Sequence, residues 1–354
     1  IRKMVGDKVD ICAILKADAY GHGLVLLMPS VLKMKIKTIG IAANEEAALV
    51  RSFGFKGTVA RVRLATLDEI EDGIQYDMEE LLGNLEQAKQ VDRIAAKAGV
   101  TLRYHLSTNS GGMDRNGLDL ATEQGKSDAL AIAKLSHLKL VGIMTHYAVK
   151  NVPEIRQRQA LFNEETAWFI KAAKLDRSKI TLHSAASYAA VFVPESRCDM
   201  VRPGSILFGT LPQDGRFKSI MSFKTRVTSV NSYAKGTQVG YDHTYTLTRD
   251  SRLANLPIGF SDGYRRDFSN RGQVLIRGHR VPVVGYTSMN TTMVDVTDYP
   301  DIRADDEVVI YGKQGKDEIT RAEICEINRS TFHDMCTLWG NSNPKILKKD
   351  AAKK

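Results

Sequence analysis

Over the first two hundred residues, short apolar runs alternate with longer amphipathic stretches. The runs fall at 11–15, 39–42, 59–63, 80–83, 102–107, 141–146, 180–184 and 199–202. Runs this short, bounded by polar and turn-forming residues, read as buried strands, and the amphipathic stretches between them as helices. Eight strands alternating with helices predict an α/β fold, a (β/α)8 barrel of the TIM type, with a doubly wound open sheet as the alternative. After about residue 217 the texture changes. Runs at 223–230, 273–276, 281–284, 292–296 and 307–311 come close together with turns between them, which predicts a mostly-β second domain. The expected domains are therefore 1–217 and 218–354.

Polar residues interrupt this pattern at telling places. Lys16, Arg115, His146, His183, Ser187 and Arg202 all fall at or just beyond the C-terminal ends of predicted strands. That is the face on which a barrel gathers its chemistry. Singly, each has a structural explanation: a partly buried histidine, a surface ion pair, a snorkelling lysine. Their shared placement favours a site. A lysine at the end of a core strand can be desolvated, lose its proton and attack a carbonyl.

The segment Ala13-Ile-Leu-Lys16-Ala-Asp-Ala-Tyr20-Gly-His-Gly23 closely resembles the pyridoxal-phosphate site of the alanine racemase family. The resemblance implies that Lys16 holds pyridoxal 5'-phosphate as a Schiff base and that Tyr20 contacts its phosphate. Further stretches match the family in order. His183-Ser-Ala-Ala-Ser187 implies Ser187 as a phosphate ligand, and its reading as a helix N-cap is compatible with that role. Met200-Val-Arg202-Pro-Gly204-Ser205 implies an arginine facing the pyridine nitrogen, with Gly204 and Ser205 at the phosphate. His146 matches the residue that hydrogen-bonds this arginine. An arginine has donors but no acceptor, so it leaves the ring nitrogen largely unprotonated and the ring a weaker electron sink.

Val239-Gly-Tyr241 matches the family's catalytic tyrosine. The implied chemistry removes an α-proton on one face and returns one on the other, with Lys16 and Tyr241 as the two acid/base groups. In the family this tyrosine comes from the other subunit, which implies a head-to-tail homodimer with shared sites. Phe260 stands where a tyrosine commonly lines the entrance, and Met289 matches a residue whose N–H meets the substrate carboxylate.

The loop His105-Leu-Ser-Thr-Asn-Ser-Gly-Gly-Met-Asp-Arg115-Asn116-Gly117 lacks the modified lysine that alanine racemases usually carry there. It looks instead like the broad-specificity amino-acid racemases, which associate a chloride with this region. Arg115 and Asn116 are thus expected at the substrate. Chloride is expected beside Arg115, whose guanidinium would otherwise lack a buried counter-charge. The implied substrates are free amino acids, lysine and arginine as well as alanine, with β-branched and acidic ones poor; an alanine-only racemase is the alternative. A decarboxylase of the same fold pairs the ring nitrogen with a carboxylate, against which Arg202 speaks. Broad-specificity relatives are commonly periplasmic and alanine racemases cytoplasmic, so the periplasm is expected here.

Composition adds mainly exclusions. Hydrophobic content of 43% and charged content of 26% are ordinary for a globular protein. No apolar run approaches the roughly 18 residues of a membrane span. The net charge of +9 is scattered apart from a basic tail at 345–354, so neither nucleic acid nor membrane is an expected partner. Cys12, Cys198, Cys325 and Cys336 have neither metal-ligand spacing nor a disulfide framework, and no metal is expected. The chain opens on Ile1 without a signal-peptide pattern, so upstream processing or truncation is expected.

Overall fold

The computed structural model describes residues 1–211 and 215–348; the last six residues of the basic tail, 349–354, lie outside the described residues. The chain divides into two units. One comprises Ile1–Ala19 and Leu24–Lys218, the other Tyr20–Gly23 and the residues from Ser219 onward.

In the first unit the eight strands are β1 (Asp10–Ile14), β2 (Thr38–Ile41), β3 (Thr58–Arg61), β4 (Met78–Leu82), β5 (Leu102–Ser107), β6 (Leu138–Met144), β7 (Thr181–His183) and β8 (Met200–Val201). They pair in parallel in the order β7-β6-β5-β4-β3-β2-β1-β8, with no reversal of direction around the sheet. A doubly wound sheet has such a reversal, so the barrel is the correct class. Between β7 and β8 the link is irregular. It runs through Asp199 N–H to Leu182 O at 3.0 Å and Arg202 N–H to Ala185 O at 2.9 Å.

Local chemistry sets the outer helices. Asn84 caps Leu85–Ala98 by accepting from Gln87 N–H, and Gly99 ends it in the left-handed conformation. Thr66 and Glu69 form a reciprocal cap at Leu67–Gly73. The side chains of β5 then alternate. Tyr104 and Leu106 join the apolar layer under the helices with Val91, Phe162 and Phe169. His105 is turned the other way, toward His183. The histidines of β5 and β7 therefore lie on the inward face of the barrel strands.

The second unit contains β9 (Phe223–Arg226), β10 (Ser229–Tyr233), β11 (Gln238–Val239), β12 (Tyr245–Thr246), β13 (Ser251–Leu256), β14 (Gln273–Ile276), β15 (His279–Val284), β16 (Thr292–Asp295), β17 (Glu307–Gln314) and β18 (Asp317–Ile319). Most form one antiparallel sheet ordered β10-β13-β16-β15-β14-β17-β18, with β9 on β17. The run at 223–230 is two strands rather than one. Val227 N–H still bonds Asp306 O at 3.0 Å, but Thr228 N–H bonds Asn255 O at 2.9 Å, so the chain changes partner strand there. β13 went unpredicted because Arg252 and Asn255 interrupt its apolar residues. The unit also carries two helices, Arg321–Asn328 and Phe332–Ser342, that pack Ile324, Phe332, Met335 and Trp339 into its core. Among the described residues no helix is long and apolar enough to cross a membrane.

Candidate functional site

Lys16 lies two residues past the end of β1 and opens a turn of unusual backbone. Ala17, Asp18 and Ala19 have φ of 54°, 50° and 55°, and Tyr20 continues the run at 56°. Non-glycine residues in this left-handed region cost roughly 1–2 kcal/mol each. Two carboxylates hold the turn: Glu46 accepts from Asp18 N–H at 3.0 Å, and Asp18 accepts from Leu24 N–H at 2.6 Å. Glu46 was not foreseen from the sequence, where it reads only as a first-turn acid of the helix Asn44–Ser52.

The Lys16 amine is held below its ordinary pKa, first by burial and then by Arg115, with Asp114 and Glu46 opposing. Arg115 pairs with Asp114 at 3.3 Å, and the same carboxylate lies 3.9 Å from His146 Nε2. This corrects the premise for chloride, because a carboxylate of the same loop already supplies a counter-charge to Arg115. The signs give a test. Arg115→Gln is expected to raise the pH at which Lys16 loses its proton, and Asp114→Asn to lower it, read from the pH dependence of Lys16 acylation. Shifts in the same direction would contradict this placement of charge.

Arg202, 4% exposed, lies at the end of β8. Its guanidinium donates to His183 Nδ1 and His183 O, each at 2.8 Å, and to Thr145 O at 2.8 Å. It also reaches Ser184 O at 3.2 Å and His146 Nδ1 at 3.3 Å. Burial, followed by Arg115, brings Arg202 down to about 10. Burial and then Arg202 bring His146 to about 2, which keeps it neutral. Nearby, Ser187 Oγ accepts from the backbone N–H groups of Gly204 at 3.0 Å and Ile206 at 3.4 Å. Ser205 opens the short turn Ser205–Leu207, and its carbonyl accepts from Thr210. These N–H groups converge on one hydroxyl, an arrangement suited to an anion. Cys12 is buried and pushed up to about 12, which makes it inert as a nucleophile.

The first unit thus brings together Lys16, Arg115, His146, Ser187, Arg202, Gly204 and Ser205. Asn116 sits in the same loop as Arg115 with φ of 52°, its carbonyl 3.3 Å from where a side chain on Gly83 would begin. The remaining predicted residues belong to the second unit and are described within it. Tyr20 packs edge-on to His333 at 5.3 Å between ring centres. The backbones around Phe260 and Met289 are paired: Phe260 N–H donates to Ser288 O and Ser261 N–H to Met289 O, each at 3.0 Å. Tyr241 follows Gly240, whose added side chain would meet Tyr286 N at 2.8 Å. All three side chains are exposed, Tyr241 by 67%, Met289 by 58% and Phe260 by 40%. Among the described residues, no group of three or more His, Cys, Asp or Glu is placed to hold a metal.

Comparison with known proteins follows the same division. Residues 1–212 match the family described as alanine racemase, N-terminal domain, and residues 220–347 the alanine racemase, C-terminal domain. A broad specificity amino-acid racemase of Pseudomonas putida is 57% identical over 96% of this chain and 83% of its own. A lysine racemase of Proteus mirabilis is 45% identical over 98% of this chain and 85% of its own. In fold, the chain matches a Bartonella henselae alanine racemase solved with covalently bound pyridoxal phosphate. That match has a TM-score of 0.84 at 22% identity, covering 98% of this chain and 94% of the other.

Proposed function

The chain belongs to the alanine racemase family, and on that premise we propose that it is a pyridoxal-phosphate-dependent racemase of broad specificity. The observation that carries the proposal is Lys16, an amine whose proton is loosened by burial and Arg115, in the same unit as Arg202, which among the described residues has no carboxylate partner. The donor set fits the cofactor. Lys16 is a nucleophile for its aldehyde, the Ser187 hydroxyl with the N–H groups of Gly204 and Ile206 suits its phosphate, and Arg202 suits its ring nitrogen. When bound, the cofactor supplies an electron sink that acidifies the α-proton of the attached amino acid.

The protein's own groups do the rest. Lys16 takes or returns a proton on one face of Cα, and the Tyr241 hydroxyl does so on the other. Arg202, held by neutral His146 and His183, donates toward the ring nitrogen without surrendering its proton. Arg115, Asn116 and the Met289 N–H orient the substrate carboxylate; Tyr20, Gly204 and Ser205 complete the phosphate site, and Phe260 borders the entrance. We place the two functions on two parts of the chain, with 1–217 binding the cofactor and 218–354 presenting Tyr241 to a partner copy. The exposure of Tyr241, Met289 and Phe260 supports such a homodimer. Chloride beside Arg115 belongs to the proposal as a competitor of Asp114, and the compartment proposed is the periplasm, by likeness to broad-specificity relatives.

Incubation with each L-amino acid, followed by loss of optical rotation, tests the reading. Lysine, arginine and alanine are expected to racemise, and β-branched and acidic amino acids to react poorly. Turnover of alanine alone would replace broad specificity with an alanine-only enzyme.

A further inference from the structure

Arg202 presents a charge problem that the site described so far leaves open. It is buried, and each acceptor it touches is a carbonyl or a neutral imidazole; among the described residues no carboxylate pairs with it. An uncompensated buried cation is costly. Asp114 is 3.9 Å from His146 Nε2, outside hydrogen-bond reach, and the carboxylate linked to Arg202 by an unbroken run of hydrogen bonds is Glu79. Arg202 bonds His183 Nδ1 at 2.8 Å, His183 Nε2 bonds His105 Nδ1 at 2.8 Å, and His105 Nε2 bonds Glu79 Oε2 at 2.8 Å.

We propose that Glu79, His105 and His183 are positioning residues for Arg202, forming a one-directional hydrogen-bond column that aims its guanidinium and supplies its negative counter-charge from the far end. The proposal rests on the reading of Arg202 as the partner of the cofactor ring.

The direction follows from donor chemistry alone. A guanidinium only donates, so His183 Nδ1 must accept and its proton must sit on Nε2. That N–H points at His105 Nδ1, which must accept in turn, and His105 then gives its own Nε2 proton to Glu79. Each ring carries one proton, on Nε2, and a second on either would set two N–H groups against each other. Burial, Arg202 and His105 all disfavour a charge on His183, in agreement with this assignment.

Two further features are built around the column. Its rings stand edge to face at 4.7 Å and 87°. Across from His105 on β6, residue 142 is glycine, and a side chain there would begin 2.1 Å from His105 Nδ1. At the far end, Arg103 approaches the other oxygen of Glu79 at 3.4 Å, leaving Oε2 to His105. Because the rings pass polarisation but no net charge, Glu79 stabilises Arg202 while remaining too far away to deprotonate the cofactor ring's partner.

Solid-state 15N NMR of histidine-labelled holoenzyme tests the column, with His105→Gln used to assign its signals by difference. Both rings are expected to show one protonated nitrogen, Nε2, and one bare nitrogen, Nδ1, near neutral pH. An imidazolium at either residue, or the opposite tautomer, would overturn the proposal without touching the racemase reading. Glu79→Gln retains an acceptor oxygen but removes the charge. It is expected to keep the His183 tautomer and to lower kcat about tenfold, with KM within about twofold. An unchanged kcat would reject the counter-charge role. If this variant fails to fold, the wild-type tautomers alone decide the proposal; if the wild-type enzyme racemises nothing, it is the functional reading that falls.

Discussion

Lys16→Ala protein is expected to lose racemisation of every substrate, by about 10⁴-fold or more in kcat/KM. The size follows from the two tasks joined in one amine, nucleophilic capture of the cofactor and proton transfer at Cα. Its environment is arranged for both. Burial and Arg115 lower the pKa, so the neutral form is reached at lower pH than for a free lysine, while Asp114 and Glu46 limit the shift. The same environment means that the fold does not depend on the side chain. A group whose charged form is disfavoured in the native state opposes folding at pH values where the unfolded chain would bind its proton. Removing it should therefore leave the melting temperature of the cofactor-free protein unchanged or slightly raised. Polarimetry and loss of the yellow cofactor absorbance check the first claim, and calorimetry the second. Activity within tenfold of wild type would displace Lys16 from the centre of the mechanism.

What could be read from the sequence was governed by how local each signal is. The barrel was legible because its strands recur as separate apolar runs, and Lys16 and Arg202 because one directly follows such a run and the other ends one. Boundaries blurred where partners change. The 223–230 run is continuous in hydrophobicity but is handed from Asp306 to Asn255 between adjacent residues, and only tertiary structure records that step. β13 was hidden because its buried positions include Ser251 and Ala254, which carry little hydrophobic signal. The helices Arg321–Asn328 and Phe332–Ser342 were not anticipated within a domain read as mostly β.

The site divided in the same way. Ser187 was identified, but not that its hydroxyl gathers N–H groups from residues 17 and 19 positions later. The column behind Arg202 was invisible: His105 and His183 are 78 residues apart and Glu79 a further 26 from His105, and only the inward face of the barrel aligns them. Asp114 was in view as the neighbour of Arg115, yet the argument for an external anion passed over it. A carboxylate next in sequence to a guanidinium need not face it, and here the loop turns it to do so.

Tyr241→Phe is the second large effect, expected to lower racemisation by about 10³-fold, the range for loss of one acid/base group. Because the equilibrium between enantiomers is unity, kcat/KM must fall equally in the two directions, so asymmetry has to be sought elsewhere. It should appear in proton exchange. With the phenol gone, Lys16 still serves its own face, and in deuterated water the α-proton of one enantiomer should wash out without inversion, while the other exchanges slowly. Folding should be untouched. The side chain is 67% exposed, on a turn whose backbone is fixed by Gly240 at φ 76°, Asp242 at 57° and His243 at 53° rather than by the phenol. Equal exchange from both enantiomers would assign the second face to another group, and unchanged racemisation would remove Tyr241 from the reaction.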